Sequence, residues 1–526
     1  MKPKSLFWAD WLAGLSLANL CLLRVWSETL TYSRSDTFWM KGPPSRADLA
    51  AAIVNVLLWG TVFGAFLSLL HRLPARWKPV GEGALLLLLL IPLNALRGVL
   101  SNQYSYLKSP LFELIGQKGV LILAAGGTLV GAAILYFFHR QVARGAQVGL
   151  RILSPLIAFT FLQAAMAMVR YDPRPFADKP LQPLLANAHP QPRVVWIIFD
   201  EWDFRLTFLD RLPGLSLPSV DRLRSQALFA ENATPPGPAT PISMPGLITG
   251  RLVNTIRQEG PDELMLTYKD DPNPVPWSHQ RNFFDEARQL GFNTALLGWY
   301  HPYCRVIAHS LSACASWEMG MQHNSMGTGF LQILPNQARS LFETSLFSPF
   351  GQSLPAKQQV GVLHAMLDRA KTLVTDPRYG AMLLHLSTPH APHTYDRRSQ
   401  TFTLANSPIQ GYWDSLALQD RFLGEIRQSL EQAGLWDQTT VVISTDHPYR
   451  EARLLDGKAD PRIPFFVKLA GQESGDEFEP PFNTILTKDM LLAVLRGEIP
   501  DEKSLAQWLR GHSSTRDSSA PHSASN

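Results

Sequence analysis

The stretch VVWIIFDE, residues Val194–Glu201, is an unbroken run of β-branched and aromatic residues that ends in two acids. Such a run is typical of a strand buried on both faces, because a strand with one face in water alternates apolar and polar residues. The chain leaves this run at Asp200 and Glu201. The pattern therefore predicts a central strand that delivers two carboxylates to one edge of a sheet.

Comparable apolar runs recur along the second half of the chain. They are Thr294–Leu297, Ala381–Leu386, Thr440–Ile443 and Pro464–Leu469. Helical patterns lie between them, for example at Ser278–Leu290 and Val360–Leu373. Alternation of strands and helices predicts an α/β domain with a mostly parallel central sheet that helices cover on both faces. Ligands of such sheets bind beyond the carboxyl ends of the strands, so the polar residues there are the candidate site.

Three polar clusters lie at or beside those strand ends. Their acids and histidines are Asp200 and Glu201, then His385, His390 and His393, then Asp446 and His447. Carboxylates and imidazoles that converge on one sheet edge are suited to bind Zn²⁺, Mn²⁺ or Ca²⁺. Each cluster alone also has a structural interpretation, because an acid after a strand is often a helix cap.

The segment ATPISMPGLITGR, residues Ala239–Arg251, resembles the nucleophile segment of the alkaline phosphatase superfamily. Sulfatases have a serine three residues after the nucleophile and a later Thr-Gly-Arg, which here are Ser243 and Thr249–Arg251. Membrane-anchored phosphoethanolamine transferases have a threonine nucleophile with serine three on and proline five on, here Ser243 and Pro245. Both alignments select Thr240. The structural alternative is that Thr240 only caps a helix.

The resemblance covers roughly half of the chain. The opening strand is similar to the one that carries the first acidic metal ligand, and Gly291–His301 is similar to a sulfatase segment that ends in histidine. The spacing of His385 and His390 matches the paired histidines of the transferases. Asp446 and His447 resemble the superfamily's late pair of metal ligands.

The resemblance implies a divalent metal site with zinc as the favoured metal and manganese or calcium as alternatives. The predicted metal ligands are Thr240, Asp200, Asp446 and His447, with Glu201 as a further acidic ligand of the sulfatase type. The predicted catalytic residues are Thr240, His385 and His390, and the predicted substrate contacts are His301, His393 and Ser243. A metal would lower the pKa of the threonine hydroxyl, which is otherwise a poor nucleophile.

Two departures separate this chain from the family patterns. Pro448 stands where the transferases have glycine, and no histidine between Pro448 and Pro464 matches their further metal ligand. At the nucleophile, Pro241 follows Thr240 directly and Met244 replaces the sulfatase arginine. Threonine is not the usual precursor of the formylglycine that sulfatases need, so an ordinary sulfatase mechanism is disfavoured.

The favoured function resembles that of membrane-anchored phosphoethanolamine or phosphoglycerol transferases. A phosphoalcohol headgroup would move from a membrane phospholipid donor to an envelope lipid or glycan acceptor through a covalent Thr240 intermediate. Two alternatives stay open: a metal-dependent hydrolase of phosphate or sulfate esters, and an inactive lipid-binding or regulatory relative. Nucleic acid is excluded as a partner, because the net charge is only +4 and no basic run is interleaved with aromatic residues.

The first part of the chain has five apolar segments long enough to cross a bilayer as helices of about 20 residues. They are Leu6–Trp26, Leu49–Leu70, Gly83–Leu100, Gly119–Phe138 and Leu150–Val169. Basic residues concentrate in the flanks that include Lys2, Arg72 and Arg140, which makes those flanks cytoplasmic by the positive-inside rule. An odd number of spans then predicts a multi-pass protein of the cell membrane with an extracytoplasmic catalytic domain.

Four consecutive parts are predicted from these patterns. They are a transmembrane domain at 1–170, a proline-rich linker at 171–193, a catalytic domain at 194–510 and a disordered tail at 511–526. Cys304 and Cys314 are close enough in sequence for a disulfide, which persists only in an oxidising compartment. Two free thiols are the alternative. A disulfide would agree with the extracytoplasmic orientation, on independent grounds.

Overall fold

The computed structural model describes residues 3–30, 34–103, 108–189, 191–318, 329–343, 353–404 and 410–516. The chain divides into two units. The first unit consists of Met1–Ser33, Gly42–Pro173 and His323–Gln352, and the second consists of Arg34–Lys41, Arg174–Gln322 and Ser353–Asn526. The predicted four-part division stays a prediction. The sequence pattern did not indicate that a short early segment belongs to the second unit.

The first unit is helical. Its helices are Pro3–Cys21, Leu23–Leu30, Arg46–Arg72, Lys78–Gln103, Lys108–Ile152, Pro155–Val169 and Phe330–Glu343. Two stretches, Arg46–Arg72 and Lys78–Leu96, are long and apolar enough to cross a membrane. The pair Tyr136–Ile152 and Pro155–Val169, bent by 44°, adds a third if it forms one span. Among the described residues, the structure thus has two or three helices of this kind where the sequence predicts five spans.

Breaks in the helices account for part of this difference. The predicted span Leu6–Trp26 is divided between the first two helices. The predicted span Leu150–Val169 crosses an interruption before Pro155, which begins a new helix. Proline favours that position because its ring fixes φ and it has no N–H to bond to the preceding turn. The predicted span Gly119–Phe138 lies inside the continuous helix Lys108–Ile152.

The second unit contains an α/β domain. Its strands are β1 (Arg193–Asp200), β2 (Leu228–Ala230), β3 (Ala233–Thr234), β4 (Val253–Gln258), β5 (Leu264–Tyr268), β6 (Asp271–Pro276), β7 (Thr294–Tyr300), β8 (Ala313–Glu318), β9 (Ala381–Pro389), β10 (Tyr395–Asp396), β11 (Thr401–Phe402), β12 (Thr439–Thr445), β13 (Phe465–Lys468), β14 (Asp476–Phe478) and β15 (Phe482–Asn483). Its helices are Pro218–Arg224, Thr240–Thr249, Phe283–Gln289, Tyr303–Val306, Ser353–Val374, Gly411–Gln432, Ala452–Asp456, Thr487–Leu495 and Glu502–Arg516.

The central sheet is mixed. Its strand order is β14-β2-β13-β12-β1-β9-β7-β8. β1 is parallel to its neighbours β12 and β9, and β7 is parallel to β9 and β8. β13, which contains most of the predicted run Pro464–Leu469, is antiparallel to β12 and β2. An antiparallel neighbour needs no full crossover, and the connection from β12 to β13 contains only the short helix Ala452–Asp456.

Both faces of β1 are buried. Its even-numbered residues from Val194 to Ile198 pack into one apolar core, and its odd-numbered residues from Val195 to Phe199 pack into another. The two cores lie on opposite faces of the sheet, because successive side chains of a strand alternate in direction. The unbroken apolar run is thereby confirmed as a strand that is buried on both faces.

The predicted proline-rich linker at 171–193 is bonded to the second unit along most of its length. The amide of Gln182 donates to the carbonyl oxygen of Leu311 (2.8 Å), and the amide of His189 donates to that of Gly291 (3.0 Å). These bonds satisfy backbone groups that a proline-rich segment cannot pair in a helix. From Arg174 onward the segment belongs to the second unit, and its role as a linker stays a prediction.

The last helix of the described residues extends into the region from residue 511, where the sequence predicts a disordered tail. The helix Glu502–Arg516 continues past that point. Leu505 and Leu509 are buried four residues apart, which anchors one face of the helix. Residues 517–526 lie outside the described residues.

A disulfide joins Cys304 to Cys314, whose Cα atoms are 5.7 Å apart. Cys304 belongs to the short helix Tyr303–Val306, and Cys314 belongs to β8. The bond links the helix that follows β7 to β8, the parallel neighbour of β7. It therefore restrains the segment that follows His301, one of the predicted site residues.

Replacement of both Cys304 and Cys314 by serine is expected to lower the free energy of unfolding by about 2–3 kcal/mol, since the disulfide restricts the unfolded chain. Thermal unfolding of the full-length protein in detergent measures the change. Wild-type protein treated with a thiol reductant serves as the control and should shift in the same direction. Equal midpoints for the double variant and the untreated wild type would count against a stabilising disulfide.

Candidate active site

Asp200 lies at the carboxyl end of β1 and is fully buried. Its Oδ1 accepts a hydrogen bond from the hydroxyl of Thr240 at 3.4 Å. Its Oδ2 accepts no hydrogen bond within the part of the chain that the structure describes. The next residue, Glu201, has a left-handed φ of +66°, which is costly for a side chain other than glycine. The turn at Glu201 ends β1 immediately after Asp200.

Asp446 follows β12, the parallel neighbour of β1, and is also fully buried. Its Oδ1 accepts the backbone N–H groups of His447 (3.0 Å) and Glu201 (3.4 Å) and the hydroxyl of Thr445 (3.3 Å). Its Oδ2 accepts no hydrogen bond within the described chain. One oxygen of this carboxylate is therefore used to hold its position, and the other is available to a ligand.

His447 presents one ring nitrogen to these two acids. Its Nδ1 lies 2.9 Å from the carbonyl oxygen of Pro448, which assigns the ring proton to Nδ1. Its Nε2 then carries the lone pair and lies 3.2 Å from Thr240 Oγ1, 3.5 Å from Asp446 Oδ2 and 3.7 Å from Asp200 Oδ1. The lone pair is thus positioned among the two carboxylates and the hydroxyl.

Thr240 is the first residue of the helix Thr240–Thr249, and Ala239 occupies the cap position. The side chain of Thr240 is 2% exposed, and its hydroxyl lies within hydrogen-bond distance of two acceptors, Asp200 Oδ1 and His447 Nε2. Because the helix cap is Ala239, capping does not explain the threonine. Its hydroxyl instead joins the cluster of two acids and a histidine that the sequence analysis predicts.

The cluster has the donor set of a divalent metal site. Among the described residues, Asp200, Asp446 and His447 each offer one ligand atom, all within 4.8 Å of one another. Two buried carboxylate oxygens without hydrogen bonds and one imidazole lone pair suit a borderline cation such as Zn²⁺. Burial and the neighbouring carboxylates of Asp446 and Glu201 raise the pKa of Asp200. A cation would relieve this repulsion, so the residues present fit a metal ion.

Glu201, predicted as a further ligand, is held by an arginine. Its Oε1 accepts a hydrogen bond from Nε of Arg450 at 2.6 Å. Nη2 of Arg450 also lies 3.4 Å from Nε2 of His390, a predicted catalytic residue. Sequence analysis missed Arg450, although it lies three residues after His447. The ligand role of Glu201 and the catalytic role of His390 stay predictions.

His385 is buried in β9, next to β1 in the sheet. Its Nδ1 lies 3.0 Å from the hydroxyl of Tyr303. Burial lowers the pKa of His385 to about 4 and raises that of Tyr303, so the neutral ring accepts from the tyrosine. The catalytic role predicted for His385 is not tested by this contact.

His393 and Ser243, two of the three predicted substrate contacts, have partners within the protein. Nδ1 of His393 lies 2.9 Å from the hydroxyl of Ser415. The hydroxyl of Ser243 donates to the carbonyl oxygen of Gly237 at 2.9 Å, which fastens the loop that leads into the nucleophile helix. Their substrate contacts stay predictions.

His301, at the end of β7, contacts the backbone of the nucleophile. Its Nδ1 accepts the indole N–H of Trp39 at 3.4 Å, so its Nε2 carries the proton and donates to the carbonyl oxygen of Thr240 at 3.3 Å. Burial lowers the pKa of His301 to about 3, which keeps the ring neutral. Trp39 therefore fixes the tautomer and orientation of the ring that holds Thr240. The predicted substrate contact of His301 stays a prediction.

Trp39 reaches this site from a segment that precedes the domain by more than 150 residues of sequence. The guanidinium of Arg305 anchors the segment by donating to the carbonyl oxygens of Phe38 (3.2 Å) and Met40 (2.7 Å). Nothing in the sequence pattern connects these residues to the predicted nucleophile. Only the fold brings them together.

Replacement of Trp39 by phenylalanine is expected to lower kcat about tenfold, with little change in KM, for the phosphate or sulfate ester that the sequence predicts as substrate, because small displacements of a reacting group cost rate rather than binding. Phenylalanine keeps the ring packing but removes the N–H that holds His301. Trp508→Phe, on the C-terminal helix, is the matched control. An unaltered kcat in Trp39→Phe would contradict the positioning role.

Comparison with known proteins gives one family and several distant relatives. A family model described as Sulfatase matches residues 192–483. The ulvan-active sulfatase of Formosa agariphila is 22% identical over 352 residues, which cover 59% of this chain and 63% of that protein, less than two thirds of its length. The crystal structure of Ps i-CgsB matches with 16% identity, 60% of this chain, 74% of that chain and a TM-score of 0.43. The crystal structure of the lipoteichoic acid synthase LtaP from Listeria monocytogenes matches with 13% identity and a TM-score of 0.37. This match covers 59% of this chain and 75% of that chain.

Proposed function

Because the chain belongs to the sulfatase family of the alkaline phosphatase superfamily, we propose that this enzyme is a membrane-anchored phosphotransferase with Thr240 as its covalent nucleophile. One observation carries the proposal. The Thr240 hydroxyl is buried at 3.2 Å from Nε2 of His447 and 3.4 Å from Oδ1 of Asp200. A hydroxyl in that position faces the predicted metal ligands, and it does not cap the helix.

Threonine at this position favours phosphate over sulfate chemistry. Sulfatases need a formylglycine, for which threonine is not the usual precursor. A threonine alkoxide can attack phosphorus directly and form a phosphoester. A divalent cation held by Asp200, Asp446 and His447 would lower the pKa of the Thr240 hydroxyl and offset charge on the transferred group. We favour zinc for that site, with manganese or calcium as alternatives.

The proposed reaction has two steps, formation and breakdown of phospho-Thr240. The Thr240 hydroxyl first loses its proton to solvent. Its oxygen then attacks phosphorus, the bond from phosphorus to the first alcohol breaks, and His390 gives a proton to the departing alkoxide. A second alcohol loses its proton to His390 and attacks phospho-Thr240, which restores the Thr240 alkoxide and the protonated histidine. Arg450, beside His390, supports an oxyanion of the transferred group through guanidinium N–H groups other than the Nε–H that binds Glu201.

The membrane anchor supports the proposed donor and acceptor. Two helices of the first unit, Arg46–Arg72 and Lys78–Leu96, are of membrane-spanning length and composition. An anchored catalytic domain meets phospholipid headgroups at high local concentration, so we propose a phospholipid donor and an envelope lipid or glycan acceptor. Five spans and an extracytoplasmic catalytic domain remain part of the proposal, and the Cys304–Cys314 disulfide supports that side of the membrane.

A hydrolase is the second candidate function. The family match and the sulfatase from Formosa agariphila favour ester hydrolysis, in which water replaces the acceptor alcohol. An inactive lipid-binding relative is a weaker candidate, because the buried acids, the imidazole lone pair and the hydroxyl still converge.

The test uses the full-length protein in detergent with Zn²⁺ or Mn²⁺ and phosphatidylethanolamine or phosphatidylglycerol labelled in the headgroup. Label that moves to an added lipid or glycan acceptor supports transfer. Label released only as the free headgroup phosphate supports hydrolysis. Lipid binding without turnover and without a Thr240 adduct would exclude both enzyme functions with these donors. Release of sulfate from a sulfated sugar, with no phospholipid turnover, would exclude the phosphotransferase.

A further inference from the structure

A cavity of about 650 Å³ lies in the second unit. Its walls come from three stretches of chain. Residues 234–238 precede Thr240, residues 448–450 follow His447 and are joined by Arg453 of the helix Ala452–Asp456, and residues 459–461 close the third side. The cavity is connected to the candidate active site by Arg450, which lines it and binds Glu201, the neighbour of Asp200. Of the lining residues, the reaction proposed above uses Arg450 alone.

The charges of the cavity leave one arginine without an acid. Arg450 uses its Nε to bind Glu201. Asp460, an acid of the lining, is bound by the guanidinium of Arg462 at 2.7 Å. Arg453 is exposed and forms no ion pair among the described residues. The cavity thus presents one free guanidinium and part of a second one.

The walls are short, rigid and weakly polar. Four prolines line the cavity: Pro235, Pro238, Pro448 and Pro461. Proline fixes φ and offers no N–H, so these walls give flat apolar contacts without extra donors. A volume of this size suits a compact ligand, whereas an acyl chain needs a long apolar groove. The volume and the two arginines therefore favour a compact ligand, such as a sugar or polyol, with an anionic group at the arginine end.

We infer that this cavity binds the alcohol part of the ester through a second anionic group, a phosphate or sulfate on a sugar or polyol, with Arg453 as its main contact. A guanidinium binds such oxyanions by paired hydrogen bonds, which lysine cannot reproduce. The inference rests on the proposed function, because it takes the ester under attack to lie at Thr240. It adds that the substrate class carries at least two anionic groups.

Direct binding tests this inference without turnover. The full-length Thr240→Ala protein in detergent is titrated by calorimetry with glucose 6-phosphate and with glucose 1,6-bisphosphate. The two probes share one sugar and differ by one phosphate. We expect the bisphosphate to bind about tenfold more tightly, and Arg453→Gln to bring that ratio close to one. Arg398→Gln, an exposed arginine outside the cavity, is the matched control and should keep the ratio.

A lipid pair identifies the source of the polyol. Vesicles with phosphatidylinositol or with phosphatidylinositol 4-phosphate present one or two phosphates on the same headgroup. Discrimination within either pair that depends on Arg453 supports the inference, and the pair concerned shows whether the polyol is free or lipid-linked. Equal affinity within both pairs for the Thr240→Ala protein overturns it, as does discrimination that survives Arg453→Gln.

The failure of the proposed function has a different signature. If the wild type forms no covalent adduct on Thr240, but the bisphosphate binds through Arg453, the transferase proposal fails and the cavity assignment stands. If the adduct forms and neither probe pair is discriminated, the cavity assignment fails alone.

Discussion

Replacement of Thr240 by alanine is expected to abolish the covalent phospho-adduct and to lower turnover of a phosphate ester by at least about 10³-fold, the scale of losing a catalytic nucleophile. The hydroxyl is the group that bonds to Asp200 and His447, and no other hydroxyl is described in that position. Intact-protein mass spectrometry after incubation with a phospholipid and Zn²⁺ detects the adduct, and peptide mapping assigns it.

A second threonine of the same helix provides the control. Thr249 is equally buried, but its hydroxyl donates to the carbonyl oxygen of Pro245 at 2.7 Å, at the opposite end of the helix. Thr249→Ala should keep the adduct and most of the activity. Thr240→Ser should form the adduct more slowly, because the hydroxyl remains while the methyl group that fixes its rotamer is lost. An adduct in Thr240→Ala would remove Thr240 from the mechanism.

The strands and the metal-type cluster could be predicted because their signals are local. The apolar run of β1 ends at Asp200, and the run of β12 ends just before Asp446 and His447. Parallel neighbours place their carboxyl ends at one edge, so these three residues meet as soon as β1 pairs with β12. Local sequence therefore contained the identity of the residues and most of their arrangement.

Trp39 and Arg450 could not be predicted, because their roles depend on contacts between distant segments. The indole of Trp39 bonds to His301, which lies 262 residues later. Arg450 binds Glu201, 249 residues earlier. Neither residue has a spacing or periodicity that separates it from other tryptophans and arginines in the chain. Their roles follow from the packing of loops, which is specified by the whole fold.

The direction of β13 and the ends of the apolar helices also escaped local reasoning. An apolar run gives the same pattern in a parallel or an antiparallel strand, so only the length of the connection distinguishes them. Hydropathy alone likewise does not show where Pro155 ends one helix and begins the next. In both cases the outcome depended on a turn, and a turn has a weaker sequence signal than an apolar core.

Replacement of Asp446 by asparagine is expected to remove high-affinity Zn²⁺ binding and to lower turnover by at least about 10³-fold, while the domain stays folded. The amide oxygen can still accept the backbone N–H groups of His447 and Glu201, as Oδ1 does in the wild type. The amide nitrogen that replaces Oδ2 has no lone pair to offer a cation. The substitution thus tests the ligand role of Oδ2 separately from the structural role of Oδ1.

Thermal unfolding with and without Zn²⁺ distinguishes these two roles of Asp446. A metal at 100 times its Kd stabilises the native state by about 2.7 kcal/mol, so the wild-type midpoint should rise on addition of Zn²⁺ and that of Asp446→Asn should not. Without metal, the variant should stay folded with a midpoint close to that of the wild type, because the amide oxygen keeps the hydrogen bonds that Oδ1 accepts. Asp203→Asn removes another buried acid, whose Oδ1 accepts the N–H of Leu206, and should keep the response to Zn²⁺. A wild-type response in Asp446→Asn would place the metal elsewhere, whereas a loss of stability without metal would make Asp446 a structural residue.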